Sequence, residues 1–241
     1  MEWPDPLASG QDAAGRLPAG GTCPGRVFLL SPAHCGGRRA KQILSPNARF
    51  ALAGELRSRR GAMLGDVFMF ISGLYFRGKL TYALRFAAPP ERGNATVGGG
   101  VHIITPNAGL RSPDTCVTQK AVVSFADGDV HQDNASYRRP LEHSARALAR
   151  EIGPDCDVVL LGSIASPKYV DVLLAIFGDR LRFPIDFVGR GDMSRGGLLL
   201  RKSREGVELD YVPVRGAVLH GARPPKLPPL HHGARRGDAR G

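Results

Sequence analysis

Three short apolar runs constrain this chain more than any other feature: VFLLS at Val27–Ser31, VHIIT at Val101–Thr105 and DVVLLG at Asp157–Gly162. Each is shorter than an ordinary helix and nearly continuous in apolar residues, so each reads as a strand covered on both faces. Strands of that kind belong to a mostly parallel sheet held between two layers of helices, an α/β three-layer sandwich. Further strands are expected at Asp66–Ser72, Leu181–Gly189 and Val207–Val214, with a short one at Leu198–Arg201.

Helical periodicity fills the gaps. Phe50, Leu52, Ala53 and Leu56 form one apolar stripe, Leu74, Leu80, Ala83, Leu84 and Phe86 a second, and Leu141, Ala145, Leu148 and Ile152 a third. A fourth helix is expected to start at Ser166-Pro167, a cap residue followed by proline in the first turn, and to stop at Gly178.

Length and composition bound the rest. With 241 residues, 42% hydrophobic and 23% charged, the chain suits one sizeable core. Residues 1–25 and 216–241 are crowded with Pro, Gly and Ala or Arg and read as disordered tails around a single domain at 26–215. The paired His231 and His232 of the second tail read as inert. No run is long enough to span a membrane and the start lacks the apolar core of a signal peptide, so the expected location is cytoplasmic. Cys23, Cys35, Cys116 and Cys156 show no metal or redox spacing and read as buried thiols; neither a metal nor a cofactor is expected.

The net charge of +11 is unevenly spread: residues 1–25 carry −2, residues 26–215 carry +9 and residues 216–241 carry +4. The positive field therefore belongs mainly to the folded part, which suits an anionic partner such as a phosphate-bearing ligand, DNA or RNA. Surface arginine used for general solubility is the plainer explanation of the same number.

In open α/β sheets ligands bind outside the carboxyl ends of the strands, so the strand exits carry the functional expectations. The first exit, SPAHCGGRRAK, offers His34, Gly36, Gly37 and Arg38 ahead of a helix. Glycine lets backbone N–H groups approach an anion, and a helix start supplies free donors. The spacing matches neither a Walker loop nor a dinucleotide-binding turn. The second exit, SGLYFRGKL, places Tyr75, Arg77 and Lys79 where a base could stack and a phosphate be gripped. The third, TPNAGLRSPD, contributes Asn107 and Asp114, the latter a candidate general base or a turn former.

The fourth exit brings Gly162, Ser163 and Lys168, and the fifth, FVGRGDMSRGG, packs Arg190, Asp192, Ser194 and Arg195 among four glycines. That last loop is the densest local signal, with cations, an acid and flexible backbone combined as a phosphate or sugar would require. Asp114 and Asp192 are the candidate catalytic residues. The other named residues are candidate ligand contacts.

The opening FLLSPAH is similar to the start of the YaaA-like peroxide-stress proteins. SGLYFRGKLTYA followed by IITPNAGLRSPD resembles paired segments of a related uncharacterised bacterial and phage group, with LLGSIASPKYVDVLL and FPIDFVGRGDMSRGG in the same order. The resemblance spans about residues 27–200, with His34 standing where the family has lysine. It implies a three-layer α/β fold akin to uracil-DNA-glycosylase-like domains, and nucleic-acid binding or nucleobase chemistry. It supplies no catalytic residue.

These readings lead to two functional expectations. One is a nucleic-acid- or nucleotide-binding protein with an anion site at the strand ends. The other is an enzyme acting on a nucleoside or phosphosugar, of N-glycosidase or base-transferase type. The oligomeric state is not legible from the sequence.

Overall fold

The computed structural model describes residues 25–131, 133–165, 167–218, 221–225 and 227. Six strands form one mostly parallel sheet in the order β4-β3-β1-β6-β7-β8. They are β1 (Arg26–Leu30), β3 (Val101–Thr105), β4 (Gly109–Arg111), β6 (Asp157–Leu161), β7 (Leu181–Pro184) and β8 (Tyr211–Pro213). A separate two-stranded antiparallel ribbon joins β2 (Ala62–Met63) to β5 (Cys116–Val117). The sheet is the centre of a three-layer α/β sandwich with helices on both faces.

The apolar runs lie where their composition demands. β1 is the axis of the sheet, paired in parallel with β3 through Phe28↔Val101 and with β6 through Phe28↔Val159. Val27, Phe28, Leu29 and Leu30 are inaccessible to solvent, as are Val158 to Leu161. The two antiparallel strands, β4 and β8, are short edges, a usual way to limit pairing with other chains.

The helices among the described residues are α1 (Arg38–Leu44), α2 (Ala51–Arg57), α3 (Leu64–Ser72), α4 (Leu74–Phe86), α5 (Gln119–Asp127), α6 (Ala135–Glu151), α7 (Pro167–Phe177) and α8 (Asp192–Glu205). α4 packs on β1 and β3 with α3 and α8 beside it; α6 packs on β3 and β4 with α7 beside it. None of these helices is long and apolar enough to cross a membrane.

Two expected strands are helices. The run Asp66–Ser72 lies in α3, whose buried Leu64, Val67, Phe68 and Ile71 follow the i, i+3, i+4, i+7 spacing of one helix face. A short, continuously apolar run does not distinguish a covered strand from a covered helix. Edge-to-face contact of Phe68 with Phe76, ring centroids 5.4 Å apart, fixes α3 against α4. Leu198–Arg201 lies within α8, which buries Leu198 and Leu199. Two other strands are shorter than expected: β7 ends at Pro184 and passes into a 3-10 turn at Ile185–Phe187, and β8 covers only Tyr211–Pro213.

The closest helix crossing, α4 on α8, depends on glycine at both positions. A Cβ on Gly78 would lie 2.6 Å from the carbonyl oxygen of Gly196. A Cβ on Gly196 would lie 2.8 Å from the Tyr75 Cα and 2.9 Å from the Leu74 carbonyl oxygen. Backbone thus meets backbone with no side chain between.

Cys35 and Cys156 are buried as expected, but Cys116 is exposed on the short ribbon strand β5, outside the central sheet. Some sequence expectations lie outside the described residues: the tail at 1–24, Cys23, the Ser166 cap, and His231 and His232. Of the second tail, Gly221 and Ala222 lie against Val188 and Gly189, and Arg223, Pro224, Pro225 and Leu227 line a hollow with Arg190 and Met193.

Candidate functional site

A cleft of about 580 Å³ gathers residues from several strand exits. Ser31 is next after β1, Pro106 after β3 and Ser163 lies just past β6, so the cleft opens at the carboxyl ends of the three central parallel strands. The loop Pro32–Gly36 forms one wall, Tyr75 and Lys79 of α4 the floor, and Phe125 of α5 with Asp129 and Val130 the opposite wall. Lys168 and Tyr169 open α7, and Asp192 opens α8.

Lys79 dominates the chemistry of this cleft. It is only 1% exposed, and its ammonium donates to the Ser31 carbonyl oxygen at 2.7 Å and lies 2.8 Å from the Ser31 hydroxyl. Its nitrogen also lies 4.6 Å from the centroid of Tyr75 and 4.9 Å from that of Phe76, where aromatic faces attract a cation. No carboxylate among the described residues pairs with it. Burial strips water from the charged form and lowers the Lys79 pKa to about 7, with Asp192 opposing the shift through space. The amine is therefore present in both protonation states near neutrality.

The hydroxyls and thiol around it are held protonated. Burial pushes Cys35 up to about 12 and Tyr169 up to about 12, and raises Tyr75 further. The Tyr169 hydroxyl donates to the Ser163 carbonyl oxygen at 2.8 Å and lies beside the Ser31 hydroxyl. The Tyr75 hydroxyl faces Arg195 but closes no hydrogen bond of standard length among the described residues.

Gly162 determines how closely these groups approach. A Cβ there would stand 2.8 Å from both the Ser31 Cβ and the Tyr169 hydroxyl. Gly162→Ala is expected to lower stability by about 1–3 kcal/mol, because the end of β6 cannot withdraw from β1 without breaking their pairing. Thermal unfolding checks this, and an unchanged midpoint would show that the contact relaxes freely.

The cleft gathers seven of the residues expected from sequence: His34, Gly36, Tyr75, Lys79, Ser163, Lys168 and Asp192. The others lie elsewhere. Gly37 caps the start of α1, and Arg38 is exposed in its first turn. Arg77 is exposed on α4 beside the buried stripe, not in the cleft. Asn107 donates to the Ser124 carbonyl oxygen at 2.9 Å and lies 2.6 Å from its hydroxyl, which ties the β3–β4 turn to α5. Gly162 lies behind Ser31. Asp114 is exposed in the turn after β4, away from the cleft and from Asp192, so the two expected catalytic carboxylates do not meet.

The glycine-rich fifth exit is spent largely on structure. Gly191 caps α8 and Gly196 permits the helix crossing. Arg190 donates to the Asp186 carbonyl oxygen at 2.9 Å and to the Ser194 hydroxyl at 3.3 Å, within a second hollow. Arg195 braces the Phe187 carbonyl oxygen at 3.0 Å and stacks on the Phe187 ring at 5.3 Å. Both arginines support the loop rather than line the cleft.

Ser31, Cys35 and Asp129 line the cleft without having been assigned to it from sequence, and Lys79, expected as a phosphate-gripping cation of the second exit, lies there with Tyr169 of the fourth exit. Lys79 carried a legible signal, since it lies four residues after Tyr75 and four before Ala83, on the apolar stripe of α4. A lysine in that register is buried whenever its stripe is.

No protein-family model matches this chain, and no curated protein or solved structure matches it either.

Proposed function

We propose that this protein binds a nucleotide, or a phosphate-bearing ligand of that size, at an anion site outside the carboxyl ends of β1, β3 and β6. The observation that carries this reading is Lys79, a buried amine with no ion-pair partner among the described residues, on the floor of an open cleft. A buried ammonium without a counter-charge is unfavourable, and a bound anion would supply one. Lys168 and His34, contributed by separate strand exits, add donors at the exposed mouth. Tyr75 and Phe125 add ring surface for a base. A cleft of this volume suits a single nucleotide better than a strand of nucleic acid.

Proton linkage gives the test. A bound anion raises the Lys79 pKa from about 7, so binding takes up a proton. Its contribution to affinity is complete below about pH 7 and is lost as the pH climbs toward the ligand-bound pKa. Calorimetric titration with adenosine monophosphate is expected to show affinity severalfold weaker at pH 8.5 than at pH 6.5, with adenosine bound more than about tenfold less tightly than the nucleotide. Lys79→Met should abolish the pH dependence. Equal affinity for adenosine and its monophosphate would overturn the proposal.

A further inference from the structure

We infer that the same cleft is catalytic, with the Ser31 hydroxyl as nucleophile and Lys79 as its general base, acting on a carboxylic ester of the anionic ligand. This rests on the binding reading above, and deepens it by assigning a reaction to the floor of the site.

The geometry is that of an activated serine. The Ser31 Oγ lies 2.8 Å from the Lys79 Nζ, within reach of direct proton transfer. Ser31 is the first residue beyond β1, with its backbone N–H held by the Leu161 carbonyl oxygen at 3.2 Å. The nucleophile is therefore tied to the end of the neighbouring strand β6. Lys79 is oriented in turn by its second bond, to the Ser31 carbonyl oxygen, and by the rings of Tyr75 and Phe76. A lysine serving only to anchor β1 would need that carbonyl bond alone. The missing Cβ at Gly162 is what lets Ser31, Tyr169 and the end of β6 crowd together.

The base must be neutral to accept a proton, and burial produces a large neutral fraction at about pH 7. The other groups facing Lys79 do not substitute for it. Cys35, Tyr75 and Tyr169 stay protonated through this range. Asp192 acts on Lys79 through space, in the direction that favours its charged form, but makes no ion pair with it; Asp129, Lys168 and His34 also line the cleft. Arg195, behind Tyr75, bears a permanent charge.

A carbonyl is the matching electrophile. A free phosphate placed against Lys79, as adenosine monophosphate would place it, holds the amine charged and silent, so the reacting ligand is an ester whose neutral carbonyl takes that place on the floor while its anionic part is held at the mouth beside Lys168 and His34. Ser31 Oγ attacks the carbonyl carbon as its proton passes to Lys79 Nζ. The bond from the carbonyl carbon to the alcohol oxygen then breaks, and Lys79 returns the proton to the departing alkoxide. In the second half, water attacks the acyl-serine, Lys79 takes the water proton, and Ser31 leaves and recovers it. The products are one carboxylic acid and one alcohol from one ester and one water.

The test labels the full chain with a small alkyl fluorophosphonate, which lacks the anionic part of the ligand. Attack by Ser31 expels fluoride and leaves a covalent adduct that peptide mass spectrometry locates. Wild type is expected to be modified at Ser31, with a rate rising about tenfold from pH 6 to pH 8 as Lys79 loses its proton. Ser31→Ala should lose the adduct. Lys79→Arg, which keeps the positive charge but cannot accept a proton, should lose labelling by more than about a hundredfold. Circular dichroism confirms that each variant is folded. An absent adduct in wild type, an adduct at another residue, or a labelling rate flat between pH 6 and pH 8 would each overturn the inference. Failure of nucleotide binding alone, with Ser31 still labelled, would instead count against the anion site.

Discussion

Gly196→Ala is expected to destabilise the protein by about 2–4 kcal/mol, although alanine ordinarily strengthens a helix by roughly 0.5–1 kcal/mol relative to glycine. The new methyl would stand 2.8 Å from the Tyr75 Cα and 2.9 Å from the Leu74 carbonyl oxygen. Both are backbone atoms of α4, so no side-chain rotation relieves the overlap. α4 and α8 must separate, and Tyr75 and Lys79 leave the cleft floor with α4. The neighbouring glycine is the control. A Cβ on Gly197 would meet only the Leu227 Cδ1, at 3.6 Å, an ordinary contact. Gly197→Ala should therefore be neutral or slightly stabilising. For a domain of this size the first substitution corresponds to a fall in Tm of roughly 4–16 °C. Equal thermal midpoints for the two variants would show that the crossing is not close-packed.

That same glycine shows where sequence reasoning worked and where it stopped. The core sheet was legible because Val27–Leu30, Val101–Thr105 and Asp157–Leu161 are short, largely apolar on both faces and rich in β-branched residues between turn-forming neighbours. α3 was not, because Asp66–Ser72 is so apolar that the spacing of Leu64, Val67, Phe68 and Ile71 is hidden among neighbours of the same kind. In α8 the glycines at 191, 196 and 197 resembled a ligand loop, and no local pattern distinguishes glycine needed for an anion from glycine needed for a helix crossing. That distinction depends on α4, more than a hundred residues earlier in the chain.

The site divides in the same manner. His34, Gly36, Tyr75, Ser163, Lys168 and Asp192 were reachable from the segments that leave the strands, since the strand ends converge on one rim. Arg77 and Asn107 satisfied the same rule yet lie outside the cleft, because direction around a helix or turn is set by packing. The pairing of Ser31 with Lys79 joins positions 48 residues apart and becomes visible only once α4 lies on β1.

The second large effect concerns stability against pH. Lys79 has a pKa of about 7 in the folded chain and an ordinary value of 10.5 when unfolded. Below about pH 7 both states bind the proton, and the folded state bears the full penalty of a buried ammonium. Between about pH 7 and 10.5 the unfolded chain holds a proton that the folded chain has released, so stability rises with pH at up to about 1.4 kcal/mol per unit. His102, lowered by burial to about 4, acts in the same sense but only between its folded value and its ordinary 6.5. Cys35 and the buried tyrosines have raised values and act in the opposite sense at higher pH. Lys79→Met keeps His102, Cys35 and the tyrosines and removes only the lysine. Subtracting its unfolding free energy from that of wild type, by urea titration at pH 6.5, 7.5 and 8.5, should thus give a difference that moves in favour of wild type by about 1–2 kcal/mol across the series. The absolute offset depends on the Ser31 oxygens left without their donor, each worth about 1–3 kcal/mol if buried unpaired, but the slope does not. Parallel curves for the two proteins would mean that Lys79 keeps its proton throughout, and would remove the neutral amine on which the chemistry at Ser31 depends.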